Sequence, residues 1–106
     1  MRKSDINGML NDMAELNNWV NPIAKIKIPS RFEIDLLTGK TNQNQNETDS
    51  LTYFYEAKRK WFLDRIEKLG GVLEDFQEAK IITFENKEKI ILVYKNERYE
   101  KEIGYD

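Results

Sequence analysis

Three charged residues, Asp75, Glu85 and Lys87, have the spacing found in some metal-dependent nucleases. In such a site two carboxylates hold a divalent metal ion, and a lysine helps to position the attacking water. Glu85 and Lys87, however, fall in a polar stretch that predicts a hairpin turn rather than a central strand beside a cleft. Because 34% of the residues are charged, this spacing arises easily by chance. A nuclease is therefore the weakest of the functions considered.

Two other motifs match known sites only in part. Gly39–Thr41 matches the end of a phosphate-binding loop, but that loop needs a further glycine where this chain has Ile34. Ordinary turn chemistry explains these residues. Glu33 and Asp35 are two carboxylates on one strand face. They act as an acid and base pair only where burial or proximity separates their pKa values, and we expect a solvated strand face instead.

Absent residue types narrow the chemistry further. The chain has no cysteine, which excludes disulfides, zinc–thiolate sites and thiol nucleophiles. It has no histidine either, so the commonest general base and the usual zinc ligand are missing. The serines are Ser4, Ser30 and Ser50, and no signature of a serine–lysine hydrolase accompanies them. We therefore predict that the protein is not an enzyme and has no catalytic residue, metal or cofactor.

The composition predicts one small domain that spans residues 1–106. Hydrophobic residues make up 40% of the chain, which is enough for a lean core that a second subunit or a partner would help to complete. There are 17 basic and 19 acidic residues, which argues against nucleic-acid binding by bulk charge. No apolar run approaches the ~20 residues of a membrane span, and the N-terminus lacks the apolar segment of a secretory signal. A soluble cytoplasmic protein of bacterial or phage-like composition is expected.

The stretch Leu51–Leu69 predicts the principal helix. Its large apolar side chains recur at helical spacing and form one broad arc. Asp49 or Ser50 is suited to cap the N-terminus, and Gly70 to end the helix in the left-handed conformation. If Trp61 is buried within this arc, we expect Trp61→Ala to cost about 3–5 kcal/mol.

Two basic residues, Lys58 and Arg65, lie on the apolar side of this helix. In one interpretation their aliphatic stems cover apolar surface while their charged groups reach water. In the other, the stripe of Phe54 and Trp61 is only half buried. With Lys58 and Arg65 it then forms an exposed aromatic-basic ridge that stacks on a base or anchors a partner protein. Both interpretations stay open, and Phe54, Lys58, Trp61 and Arg65 are the predicted partner-binding residues.

The remaining periodicities predict a second helix and several strands. An amphipathic helix is predicted over Asp5–Asn18. Alternating or β-branched runs predict strands at Ile23–Ile28, Phe32–Leu36, Ala79–Phe84, Lys89–Tyr94 and Arg98–Ile103. Val72–Phe76 is ambiguous between strand and helix, and the polar stretch Thr41–Ser50 predicts a flexible loop. The predicted fold is α+β in the order α-β-β-loop-α-β-β-β, with a long second helix packed on a C-terminal antiparallel meander.

The sequence favours a small binding or regulatory protein that acts through a protein–protein surface, as an inhibitor, adaptor or assembly factor. The support is the predicted ridge, since tryptophan, tyrosine and arginine are the residues that anchor interfaces. The alternative is a nucleic-acid-binding module that uses the same ridge together with Lys87, Lys89 and Lys95. No membrane partner is expected.

Overall fold

The structure is a computed structural model that describes the backbone of residues 1–19, 31–42, 49–84 and 87–104. It describes the side chains of the same residues except 16–19, 49–55 and 84. The helices are α1 (Lys3–Trp19) and α2 (Asp49–Lys68), and the strands are β1 (Phe32–Asp35), β2 (Phe76–Phe84), β3 (Lys87–Tyr94) and β4 (Glu97–Gly104). A 3-10 turn at Leu73–Asp75 precedes β2. The four strands form one antiparallel sheet in the order β1-β2-β3-β4, which confirms the predicted α+β class.

Some predicted elements fall outside the described residues. These are the strand Ile23–Ile28 and most of the loop Thr41–Ser50. The ambiguous stretch Val72–Phe76 is largely the 3-10 turn, and β2 begins at its last residue.

One face of the sheet carries the core. Directly opposed residues of an antiparallel pair share a face, so the register places Ile34, Ile81 and Ile90 in one row across three strands. All three are at most 1% exposed. The helices cover this face with buried side chains of α1 (Ile6, Met9, Leu10, Met13) and of α2 (Phe62, Ile66).

The two helices divide this face between them. α1 lies against β3 and β4. α2 reaches the sheet through side chains, with the Phe62 ring 5.3 Å from the Phe76 ring of β2 in an edge-to-face arrangement. The Phe76 ring in turn lies 4.9 Å from the Tyr94 ring of β3. The sequence assigned the meander to the second helix, whereas α1 covers its last two strands.

The end of α2 is closed as predicted. Gly70 has a φ of 72°, and its N–H donates to the carbonyl of Glu67 at 3.0 Å. The N–H of Gly71 donates to the carbonyl of Ile66 at 2.9 Å. This pair of hydrogen bonds is the Schellman motif, which satisfies two carbonyls that the helix end otherwise leaves free.

We expect Gly70→Ala to lower the free energy of unfolding by about 1 kcal/mol, because a Cβ disfavours the left-handed conformation. Gly8 in α1 provides the matched control, since a Cβ there meets nothing within 4 Å. Gly8→Ala is expected to raise stability by up to about 1 kcal/mol through helix propensity. Urea unfolding of both variants measures the sign of each change in the free energy of unfolding. Equal effects of the same sign would contradict this account of the helix end.

Candidate interaction surface

α2 has a buried stripe with a partly exposed flank beside it. Lys58, Phe62 and Ile66 form the stripe and are 2%, 0% and 4% exposed. Trp61 and Arg65 lie next to the stripe, on the side where α2 meets α1. Among the described side chains of the predicted arc, Phe62 and Ile66 are buried and Trp61 is half-buried, whereas Ala57 and Leu69 are exposed.

Trp61 and Arg65 form a stacked pair on this flank. The guanidinium carbon of Arg65 lies 4.8 Å from the centre of the Trp61 ring. Arg65 Nη1 is 3.6 Å from Oδ2 of Asp12 on α1, and 37% of the Arg65 side chain is exposed. Trp61 itself is half-buried and packs against the edge of the core. We refer to Trp61, Arg65 and Asp12 as the Trp61 flank.

The exposure expected of Lys58 is wrong in both interpretations. Its side chain is 2% exposed, and its Nζ donates to Oε1 of Glu88 on β3 at 2.7 Å. The Glu88 side chain is fully buried. The ammonium group therefore neither reaches water nor belongs to a surface ridge, because a buried carboxylate draws it into the core.

The buried position of this ion pair shifts the pKa of Lys58. Burial lowers the pKa of Lys58, while the charge of Glu88 and its hydrogen bond oppose that shift. Thr83 lies directly opposite Glu88 on β2 and is also fully buried. The Lys58–Glu88 ion pair thus joins α2 to β3 inside the molecule.

Phe54 is the one predicted ridge residue that the structure does not test. Its backbone belongs to α2, and its side chain lies outside the described ones. Its role in binding stays a prediction.

Arg59 has a structural role that no pattern in the sequence predicts. Its Nε donates to the carbonyl of Leu36 at 3.0 Å, and its Nη2 to the carbonyl of Leu37 at 3.3 Å. A Cβ on Gly39 would lie 3.4 Å from Arg59 Nε, and Gly39 has a φ of +79°. Arg59 thereby ties α2 to the turn after β1, which explains the Gly39–Thr41 motif as part of a turn.

Two of the four carboxylates considered for catalysis, Glu33 and Asp35, make contacts within the fold. Glu33 lies 3.3 Å from Arg31, and a carboxylate oxygen of Asp35 accepts the N–H of Leu37 at 2.8 Å. Asp75 ends the 3-10 turn, and Glu85 lies outside the described residues. Across the described part of the chain, no three acidic residues gather in a way that could hold a metal ion.

The lysines that the nucleic-acid alternative requires are mostly engaged. Across the β3–β4 ladder, Lys87 Nζ lies 3.6 Å from Oε1 of Glu102, and Lys89 Nζ lies 3.2 Å from Oε2 of Glu100. Lys95 sits in the turn between these strands, with its Nζ 5.5 Å from the centre of the Tyr94 ring. A phosphate backbone would compete with carboxylates for two of these three cations.

Glu88 is the buried residue whose role the sequence could have revealed. The predicted strand begins only at Lys89, yet Glu88 shares strand parity with Ile90, Leu92 and Tyr94, which are all buried. A carboxylate in register with an apolar face predicts a buried partner, since a buried charge needs compensation. The partner itself lies 30 residues earlier in the chain, and no local pattern points to it.

Comparison with known protein families, characterised proteins and solved structures found no match to this chain. Within the residues that the structure describes, neither helix is long and apolar enough to cross a membrane.

Proposed function

We propose that this chain is a small non-enzymatic binding protein that regulates or assembles another protein, as an inhibitor, adaptor or assembly factor. We propose further that it docks its partner through the Trp61 flank. The observation that carries the proposal is the stacked pair, in which Arg65 lies 4.8 Å over a half-buried Trp61 ring at the surface.

This arrangement has the properties of an interface anchor. Tryptophan and arginine are enriched among the residues that dominate binding energy. The Trp61 ring retains apolar surface that a partner would remove from water. Arg65 is already held by the ring and by Asp12, so little side-chain entropy is lost when it binds.

The charge pattern favours a protein over a nucleic acid. The Trp61 flank offers both a cation, Arg65, and an anion, Asp12. A mixed surface of this kind complements the mixed charges of another protein. A nucleic-acid site instead concentrates unneutralised cations along the path of the phosphates.

Affinity capture from extracts of the native host tests the proposal. Trp61→Ala is compared with the wild type and with Lys60→Ala, a control at an exposed position of the same helix. We expect one protein to be retained by the wild type and by Lys60→Ala, and to be lost with Trp61→Ala. Removal of an anchor residue should weaken binding of that protein about 30-fold or more.

Salt dependence separates the two classes of partner. Binding of a protein through the Trp61 flank should respond weakly to salt, whereas binding of a labelled single-stranded oligonucleotide should fall steeply with salt. Oligonucleotide binding that Arg65→Glu abolishes would replace the proposal with the nucleic-acid alternative. Identical captures by Trp61→Ala and the wild type would show that the Trp61 flank is not the docking surface.

A further inference from the structure

The two edge strands of the sheet, β1 and β4, differ in whether their outer backbone groups are hydrogen-bonded. The edge of β1 is closed by the segment that follows it. The N–H of Asp35 donates to the carbonyl of Lys40 at 2.8 Å, and the N–H of Asn42 donates to the carbonyl of Glu33 at 3.2 Å. The Asn42 side chain also accepts the N–H of Glu33 at 2.8 Å. Backbone groups that would attract another strand are thus occupied within the same chain.

The edge of β4 is open in the described part of the chain. Lys95 and Asn96 have φ values of 47° and 66°, which define a two-residue type I′ turn closed by Tyr94 and Glu97. This closing pair exchanges hydrogen bonds, and the orientation of backbone groups then alternates along the strand. The backbone N–H and C=O of Arg98, Glu100 and Glu102 therefore point away from β3.

Nothing in β4 itself disrupts this edge. Its register with β3 is continuous from Glu97 to Gly104, and it contains neither a proline nor a bulge. Pairing of such edges is usually discouraged by these devices or by charges. Only the charges are present here, so their order along the strand decides whether the edge repels another strand or selects one.

That order is complementary to itself in the antiparallel direction. From Glu97 to Lys101 the residues read acidic, basic, tyrosine, acidic, basic. When Tyr99 is placed opposite the partner's Tyr99, Arg98 lies opposite the partner's Glu100, and Glu97 opposite the partner's Lys101. Each charge pair occurs twice across the two-fold axis. In the neighbouring register with the same outward backbone groups, Glu100 lies opposite the partner's Glu100. That register has two Arg98–Glu102 pairs but adds one like-charge contact, whereas the register centred on Tyr99 has four opposite-charge pairs and none of like charge, so the latter is favoured.

We propose that β4 pairs antiparallel with β4 of a second copy of this chain, which joins two four-stranded sheets into one continuous sheet. Arg98 and Glu100 both have outward backbone groups, so the Arg98 pair with the partner's Glu100 is of the hydrogen-bonded type. The core faces of the two copies lie on the same side of the joined sheet, because opposed residues share a face.

The edge side chains already have partners within the monomer, which a second copy would have to share: Arg98 contacts Glu100 within the strand, and Glu100 also contacts Lys89. Glu97 lies 3.3 Å from Lys3, and Lys101 Nζ donates to Asn11 of α1 at 2.7 Å. The Tyr99 hydroxyl donates to Glu97 at 2.8 Å. These side chains therefore lose less freedom when a second copy binds. The dimer does not use the Trp61 flank. Failure of the dimer proposal would therefore not affect the proposed docking through that flank, and the reverse also holds.

Light scattering on a sizing column gives the first test. At chain concentrations between about 0.1 and 500 µM, which bracket a micromolar Kd, the wild type is expected to rise towards twice the 12.6 kDa mass of one chain. Glu100→Pro removes an outward N–H that the monomer does not use, and proline is tolerated on such an edge. It is expected to stay monomeric, whereas Glu100→Ala, which keeps the N–H, should still dimerise.

Two charge variants give a second test that does not depend on proline. Arg98→Glu/Lys101→Glu makes the edge acidic, and Glu97→Lys/Glu100→Lys makes it basic. Each alone juxtaposes like charges at four positions, which should raise Kd by a factor of about ten or more. An equimolar mixture restores every pair and should form a heterodimer, detected by native mass spectrometry.

Either of two results would overturn the proposal. The first is a wild type that stays monomeric over the whole concentration range. The second is a dimer that persists in folded Glu100→Pro or in both charge variants alone, since it would then form through another surface. Circular dichroism establishes that each variant is folded, and if Glu100→Pro does not fold, the charge variants decide alone.

Discussion

Lys58→Ala is expected to lower the free energy of unfolding by about 3–5 kcal/mol, because it leaves the buried Glu88 carboxylate without its ammonium partner. Glu88→Ala should have an effect of similar size for the complementary reason. Both side chains are at most 2% exposed, so water cannot replace the missing charge. Small domains have a total stability of about 5–15 kcal/mol, and either change therefore removes a large share of it. Urea unfolding with a common m-value measures the loss.

A variant in which both charges are replaced by apolar groups separates the ion pair from the packing around it. Lys58→Met/Glu88→Leu replaces both charges by apolar groups of comparable size, and we expect it to be far more stable than either alanine variant. Lys87 and Glu102 provide the control, since they lie 3.6 Å apart and are 53% and 48% exposed. Alanine at either should cost about 1 kcal/mol or less. If the double variant is as unstable as the single ones, the ion pair is not what couples α2 to β3.

The lowered pKa of Lys58 adds a dependence on pH with a definite sign. Below the folded-state pKa the lysine is charged in both states, and the full cost of burying its charge is present. As the pH rises from that pKa towards the unfolded value of 10.5, the native state gives up its proton first. The unfolded state then binds more protons, so stability increases with pH. Between the folded-state pKa and the unfolded value the wild type should gain stability relative to Lys58→Met, and a relative loss would contradict the direction of the shift.

Local patterns predicted the elements of the fold well. The predicted helix Leu51–Leu69 differs from the observed α2, Asp49–Lys68, by one or two residues at each end. Gly70 closes it because hydrophobic periodicity and helix-end chemistry are both local. The three C-terminal strands were also found, since short polar turns between apolar runs predict a meander. The pairing of β1 with β2, by contrast, joins residues more than 40 positions apart. Neither segment contains a local pattern that identifies the other as its partner strand.

The candidate site was predicted less well, for a physical reason. Periodicity assigns a residue to the side of a helix, but tertiary contacts decide how deeply it is buried. Lys58 is drawn inside by a glutamate 30 residues away, and a single sequence does not contain that pairing as a pattern. Trp61 and Phe62 both belong to the predicted arc. Their different burial depends on where α1 and β2 meet α2.

Phe62→Ala is expected to lower the free energy of unfolding by about 3–5 kcal/mol. The ring is fully buried and makes the edge-to-face contact with Phe76 that joins α2 to β2. Its removal leaves a cavity between a helix and a strand that cannot collapse without moving the sheet. Phe62→Leu keeps most of the volume and should cost less than about 1.5 kcal/mol. Thermal or urea unfolding of the two variants gives the comparison.

Trp61→Ala should cost clearly less than Phe62→Ala, even though tryptophan is the larger side chain. The sequence allowed a cost of about 3–5 kcal/mol for a buried Trp61, but the ring is half-exposed and is covered partly by Arg65 rather than by the core. The neighbouring residues of α2 thus separate into one that the fold requires and one that it leaves at the surface. If Trp61→Ala proves as destabilising as Phe62→Ala, loss of binding in that variant would report unfolding, and the Trp61 flank would be part of the core rather than a docking surface.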